Sequence, residues 1–260
     1  MKTVASKDGT QIAFEKSGQG PALILVDGAL CYRSFGPMGE LSKLLSPHCT
    51  VTLYDRRGRG ESSDSKPYAL GREIEDLEAL IDEAGGTAFL YGLSSGACLA
   101  LEAAVRLGKK VRKLAIYEAP YLSGDGAGPA WREYRRSLEE FLSAGRPGDA
   151  VGLFMRFVGT PEEQIAGMRQ APVWPMFEAV APTLAYDAAA MGEDRSAPLK
   201  RVAKIGVPVL VMNGTGLAFM FDTAKALAKA IPRAEQRTLE GQGHDVDLKV
   251  LAPHLVEFFA

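Results

Sequence analysis

The sequence predicts an α/β fold: a mostly parallel central sheet flanked by helices, with a helical cap inserted between two of its strands. Three observations predict it. Short apolar runs alternate with stretches of helical spacing along residues 1–120 and 198–260, as in strand–helix–strand units. Several of these runs are continuous rather than alternating in polarity, which suits strands buried on both faces. Between 121 and 197 the alternation lapses into helix formers and aromatics punctuated by prolines, which reads as several short helices forming the insertion.

Lys2–Ser6 and Gln11–Lys16 flank Asp8-Gly9, a turn pair that predicts a hairpin. Pro21 to Val26 is the first continuous apolar run, followed by Asp27-Gly28. Met38 to Leu45 reads as a helix and Thr50 to Tyr54 as a strand, which ends in the glycine-punctuated loop Asp55 to Ser62. Ile74, Leu77, Ile81 and Ala84 recur at helical spacing, and Gly85-Gly86 stops that helix. Thr87 to Tyr91 is a strand and Ala97 to Leu107 a helix, with Gly92-Leu93-Ser94-Ser95-Gly96 between them. Leu114 to Tyr117 is the next strand, closing with Glu118-Ala119-Pro120. After the insertion, Val207 to Met212 reads as a strand, and Asp222 or Thr223 is expected to cap a helix that Pro232 stops. Gln236 to Leu239 is the last strand, followed by Gly241-Gln242-Gly243-His244 and a C-terminal helix ending in Phe258-Phe259.

The 260 residues are enough for one such domain with a large core. A hydrophobic fraction of 47% and a charged fraction of 24% are those of an ordinary globular protein. A formal net charge of −2 gives no reason to expect nucleic acid or an anionic membrane as partner. The first residues hold no apolar stretch of signal-peptide length, and no run is long enough to span a bilayer. Cys31, Cys49 and Cys98 are odd in number and widely spaced, unlike a metal or redox motif. Free thiols in a reducing cytoplasm are expected, and neither metal nor organic cofactor is implied.

Gly-x-Ser-x-Gly between a strand and a helix is the pattern of a nucleophile elbow. The central serine takes a strained backbone conformation, and a side chain two positions either side would strike the neighbouring strand or helix. Its hydroxyl is then lifted above the sheet edge, beside the Ser95 amide at a helix N-terminus. A serine hydroxyl needs a base. Of the three histidines, His48 precedes a strand at the remote end of the sheet and His254 falls inside the last helix. His244 follows the last strand, in a loop expected at the same sheet edge as Ser94.

Over nearly its whole length the chain resembles the α/β-hydrolase-fold enzymes. Besides Gly92–Gly96 and Gly241–His244, the resemblance rests on Leu25-Val26-Asp27-Gly28, on Asp55-Arg56-Arg57-Gly58-Arg59-Gly60-Glu61-Ser62 and on Val207–Gly214. It implies a catalytic triad of serine, acid and histidine, with an oxyanion hole made by the backbone amides of Ala29 and Ser95. In the arginine loop it implies glycines for the turn and arginines for packing and salt links.

Two positions depart from the commonest family pattern. The loop after Met212 usually carries the triad acid, but here Leu217 stands where the carboxylate would be. The resemblance to lactonases that open the fungal macrolactone zearalenone points instead to Glu118, with Asp222 as the alternative. Those enzymes also resemble this chain in having Asp-Gly where others have His-Gly. Here the Asp27 side chain is expected to turn away from any developing oxyanion and bond backbone amides.

The expected function is a serine hydrolase of a small apolar ester or lactone. Ser94 would attack, His244 would serve as base and Glu118 would orient it. Leu30, Trp174 and Phe177 are candidates for lining the substrate pocket. Hydrolysis of a carbon–carbon bond on the same fold, or a ligand-binding relative without turnover, are the alternatives.

Overall fold

The computed structural model of the protein describes residues 2–122 and 128–260. Asp8-Gly9 turns the chain between strands β1 (Lys2–Ala5) and β2 (Gln11–Ser17), which pair antiparallel. Strand and helix then alternate through β3 (Ala22–Val26), α1 (Met38–Leu45), β4 (Thr50–Tyr54) and α2 (Leu70–Glu83). The alternation continues through β5 (Ala88–Leu93), α3 (Ser95–Leu107) and β6 (Val111–Tyr117). Among the described residues, five helices follow: α4 (Gly128–Ser143), α5 (Pro147–Phe157), α6 (Glu162–Arg169), α7 (Trp174–Val180) and α8 (Leu184–Met191). The short α9 (Leu199–Val202) leads back to β7 (Val209–Gly214), α10 (Ala218–Ala230), β8 (Ala234–Leu239) and α11 (Leu248–Phe259).

Among the described residues, eight strands form one sheet in the order β1-β2-β4-β3-β5-β6-β7-β8. Every pairing from β4 to β8 is parallel. Each central strand feeds two cores, which is why its sequence is a continuous apolar run. Ile24, Val26, Leu90, Leu114, Ile116, Val209 and Val211 pack with α2, α3 and α10 on one face. Leu23, Leu25, Tyr91, Ala115, Tyr117, Leu210 and Met212 pack with α1 and α11 on the other.

Chain order reverses at β3, which has β4 on one side and β5 on the other. Ligands of open α/β sheets bind in the crevice beyond the strand C-termini at such a reversal. Asp27 and Ser94 follow those two strand ends directly. The helices between β6 and β7 cluster their aromatics: Tyr134 stacks on Phe157 at 4.3 Å and on Trp131 at 5.2 Å. Trp131 donates through Nε1 to the carbonyl of Gly192. A parallel bridge between Leu122 and Ser196 brings the two ends of this segment together. Residues 123–127 of the expected 121–197 insertion lie outside the described residues. Among the described residues, no helix is long and apolar enough to cross a membrane.

One boundary differs from expectation. Neither Asp222 nor Thr223 caps α10, which starts at Ala218 after an extended Leu217 and has no side-chain cap. Packing of Met220, Ala224 and Leu227 fixes the start of this helix, not a capping side chain. Asp222 is exposed on its surface, and Thr223 is buried, donating to the Tyr121 carbonyl at 2.7 Å.

Candidate active site

Ser94 sits between β5 and α3 with φ 56° and ψ −126°, a conformation disfavoured for any residue with a Cβ. Two close approaches hold it there. A Cβ on Gly92 would lie 2.6 Å from the Gly96 carbonyl oxygen, and one on Gly96 would lie 2.5 Å from that of Asp27. The Ser94 amide donates to the Tyr117 carbonyl at 3.0 Å, tying the turn to the end of β6. Although Ser94 occupies the N-cap of α3, its hydroxyl makes no capping bond. Gly28 packs against it, and a Cβ there would lie 3.2 Å from the Ser94 Cβ.

Glu118 follows β6 and also takes a positive φ, 48°. Its side chain is buried, and each carboxylate oxygen has its own partner. Oε2 lies 2.7 Å from Nδ1 of His244, and Oε1 accepts the Gly214 amide at 3.0 Å. The histidine loop is braced from two more sides. Tyr117 donates its hydroxyl to the Gly243 carbonyl at 2.6 Å, and the amides of Thr215 and Gly216 donate to the Gln242 carbonyl. Thus Glu118 and His244, expected as partners, are brought together. Leu217, in the position usual for the acid, is 43% exposed. His48 is exposed far from this edge, and His254 lies on α11 beside Arg237.

The loop after β3 forms the facing wall. Leu30 is buried there with φ 61°. Phe35 of the same loop meets Phe177 of α7 edge-on at 5.3 Å, which brings the inserted helices over the loop. Trp174 packs between Phe177 and the guanidinium of Arg169. Asp27 is buried, and its Oδ1 accepts the Gly28 amide at 2.8 Å, the backbone bond expected of it.

Burial pushes the Asp27 carboxyl up to about 7, against the pull of the Gly28 amide and of the Arg59 and Arg56 charges. Its ordinary value is 3.8, so between those limits the folded chain holds this proton more tightly than the unfolded chain. The group therefore stabilises the fold at low pH, and that stability is lost as pH rises through the window. Asp27→Asn is expected to flatten the decline and to be more stable than its parent at pH 8 by on the order of a few kcal/mol. Urea midpoints between pH 4 and 8 measure it, and parallel pH profiles would refute it.

The three arginines of the loop after β4 are buried and paired. Arg56 binds Glu73 and Asp187, Arg57 binds Asp76 and Asp8, and Arg59 binds Asp187. All three are held in salt links, as expected of this loop. Asp187, Tyr117 and Gly214 also bond to residues of this edge. An aspartate in an alanine-rich helix and a tyrosine closing an apolar strand carry no motif, and only the Gly beside Asn213 was a local signal.

A sheet of this order, with a strained serine at its central strand–helix turn and a glutamate–histidine pair on the same edge, defines an α/β-hydrolase architecture. A sequence model of the alpha/beta hydrolase family matches residues 23–255, and the chain belongs to that family of enzymes. The crystal structure of an alpha/beta hydrolase from Sphaerobacter thermophilus DSM 20745 is 50% identical, with both chains covered in full and a TM-score of 0.90. A thermophilic esterase from Thermogutta terrifontis is 24% identical over 99% of this chain and 97% of its own, with a TM-score of 0.75. The enol-lactonase from Burkholderia xenovorans LB400 is 22% identical over 99% of each chain, with a TM-score of 0.71. The last two bear on the fold.

Proposed function

We propose that the protein is a serine hydrolase that cleaves a small apolar ester or lactone through an acyl-enzyme on Ser94. The observation that carries this reading is the contact of Glu118 Oε2 with His244 Nδ1 at 2.7 Å. A carboxylate there fixes the tautomer that leaves Nε2 able to accept a proton, and it stabilises the imidazolium that forms. Ser94 attacks the carbonyl as His244 takes its proton, and the amides of Ala29 and Ser95 receive the oxyanion. His244 then returns the proton to the leaving oxygen and activates water to release the acid. Leu30 and Phe177 form apolar walls beside Ser94, Trp174 backs Phe177, and residues 121–197 serve as the cap. The esterase and the enol-lactonase of the same fold support the ester and lactone classes.

Intact mass after treatment with a fluorophosphonate tests the reading. A single adduct is expected, mapped to the peptide holding Ser94 and absent from Ser94→Ala. A folded protein that takes up no label would refute it.

A further inference from the structure

One buried carboxylate from the inserted helices touches one wall of the site and, through two arginines, reaches the other. Asp187, on α8, is 2% exposed. Its Oδ1 accepts the Ser95 hydroxyl at 2.7 Å, so it holds the residue that opens α3. The same carboxylate accepts Arg56 Nη1 at 2.7 Å and Arg59 Nη2 at 2.7 and 2.8 Å. Those guanidiniums reach on to the opposite wall. Arg56 Nη1 donates to the Asp27 carbonyl at 3.2 Å, and Arg59 Nη1 donates to the carbonyls of Gly28 and Cys31. Arg59 Nε also binds Thr183, which precedes α8.

The carbonyls so held bracket Ala29, and the hydroxyl so held belongs to Ser95. These are the two residues whose amides are assigned to the oxyanion hole. Their separation and direction decide how well the hole fits a tetrahedral oxygen, and such donors act only when fixed before the reaction. Burial opposes ionisation of Asp187, but the Arg59 and Arg56 charges and the Ser95 hydroxyl outweigh it and lower its pKa. The carboxylate is thus charged and can accept every one of these bonds.

We infer that Asp187 is a positioning residue for the oxyanion hole: through Ser95 on one side and Arg56 and Arg59 on the other, it makes the fit of the hole depend on docking of the inserted helices. This inference rests on the serine hydrolase reading. It also gives the cap a role in catalysis besides enclosing substrate. A cap displaced at α8 would lose the carboxylate, and both walls of the hole would loosen together.

Two variants test it, read by hydrolysis of 4-nitrophenyl acetate and by the second-order rate of fluorophosphonate labelling. Ser95→Ala removes the hydroxyl and keeps the amide, while Asp187 retains both arginines. It is expected to lower kcat and the labelling rate ~10-fold with KM unchanged, a fraction of what loss of a whole donor costs. Asp187→Asn leaves Arg59 without a carboxylate and is expected to lower both rates ~100-fold. If that variant does not fold, Ser95→Ala decides alone. Wild-type labelling rates and kcat in Ser95→Ala would make the network a structural salt link only and overturn the inference. Failure of the wild-type protein to label at Ser94 would instead remove the hydrolase reading, and this inference with it.

Discussion

Replacing Glu118 with Gln is expected to lower kcat about 10⁴-fold while the protein stays folded. The magnitude follows from what each carboxylate oxygen does. Oε1 accepts the Gly214 amide and Oε2 faces His244 Nδ1. A glutamine has one acceptor oxygen for these two positions, so its NH₂ must face either the Gly214 amide or the imidazole. Facing Gly214 opposes two donors in a buried place, which costs roughly 1–3 kcal/mol. Facing His244 makes Nδ1 the acceptor and puts the ring proton on Nε2, the atom that must take the serine proton. Either way the imidazolium formed on attack loses its countercharge. Asp222→Asn is the matched control. Its carboxylate lies exposed on α10, and turnover should stay within about 2-fold of the parent, as for surface substitutions in general. Steady-state kinetics on one activated ester measures both. Full activity in Glu118→Gln would sink the assignment of the acid.

Gly96→Ala is expected to destabilise the protein by about 3 kcal/mol or more and to abolish labelling of Ser94. Helix propensity predicts the opposite, because Ala is the better helix former by about 1 kcal/mol. Sterics decide the sign. The new Cβ would lie 2.5 Å from the carbonyl oxygen of Asp27 and closer still to that of Val26. Both are backbone atoms at the end of β3, whose Val26 is paired with Gly92 in the sheet. Neither can retreat without breaking the pairing or shifting the loop that carries Ala29. Gly167→Ala provides the comparison, since it lies within α6 and a Cβ there meets no atom within 4 Å. That variant should gain up to about 1 kcal/mol from propensity alone. Urea denaturation of the pair measures the contrast, and equal midpoints would refute the steric account.

Most of the fold was legible because its signals are local. The two-faced strands β3, β5, β6 and β7 are apolar runs that need no partner to be recognised. Gly85 and Gly86 stop α2, and both take positive φ. The Gly-x-Ser-x-Gly turn was equally plain, since close approach on both sides of Ser94 excludes any residue but glycine at 92 and 96. The start of α10 differs from the expected one because a favourable N-cap residue, Asp222, stands where packing requires the helix to be already under way.

By itself, the sequence determined the strand–helix order and singled out Ser94 and the histidine that follows the last strand as candidates. These depend on hydrophobic period, glycine geometry and chain order, which are written in neighbouring residues. The tertiary structure shows which carboxylates lie against His244 and Ser95. Glu118 meets His244 across 126 positions of chain, and Asp187 meets Ser95 across 92. A charged side chain at a strand end or in a helix carries no local mark of its partner. Its partner is set by which strand tips share the sheet edge and by where the inserted helices rest upon it. Once such a carboxylate is withdrawn from water, leaving it without a partner becomes costly, and the geometry holds the partner in place.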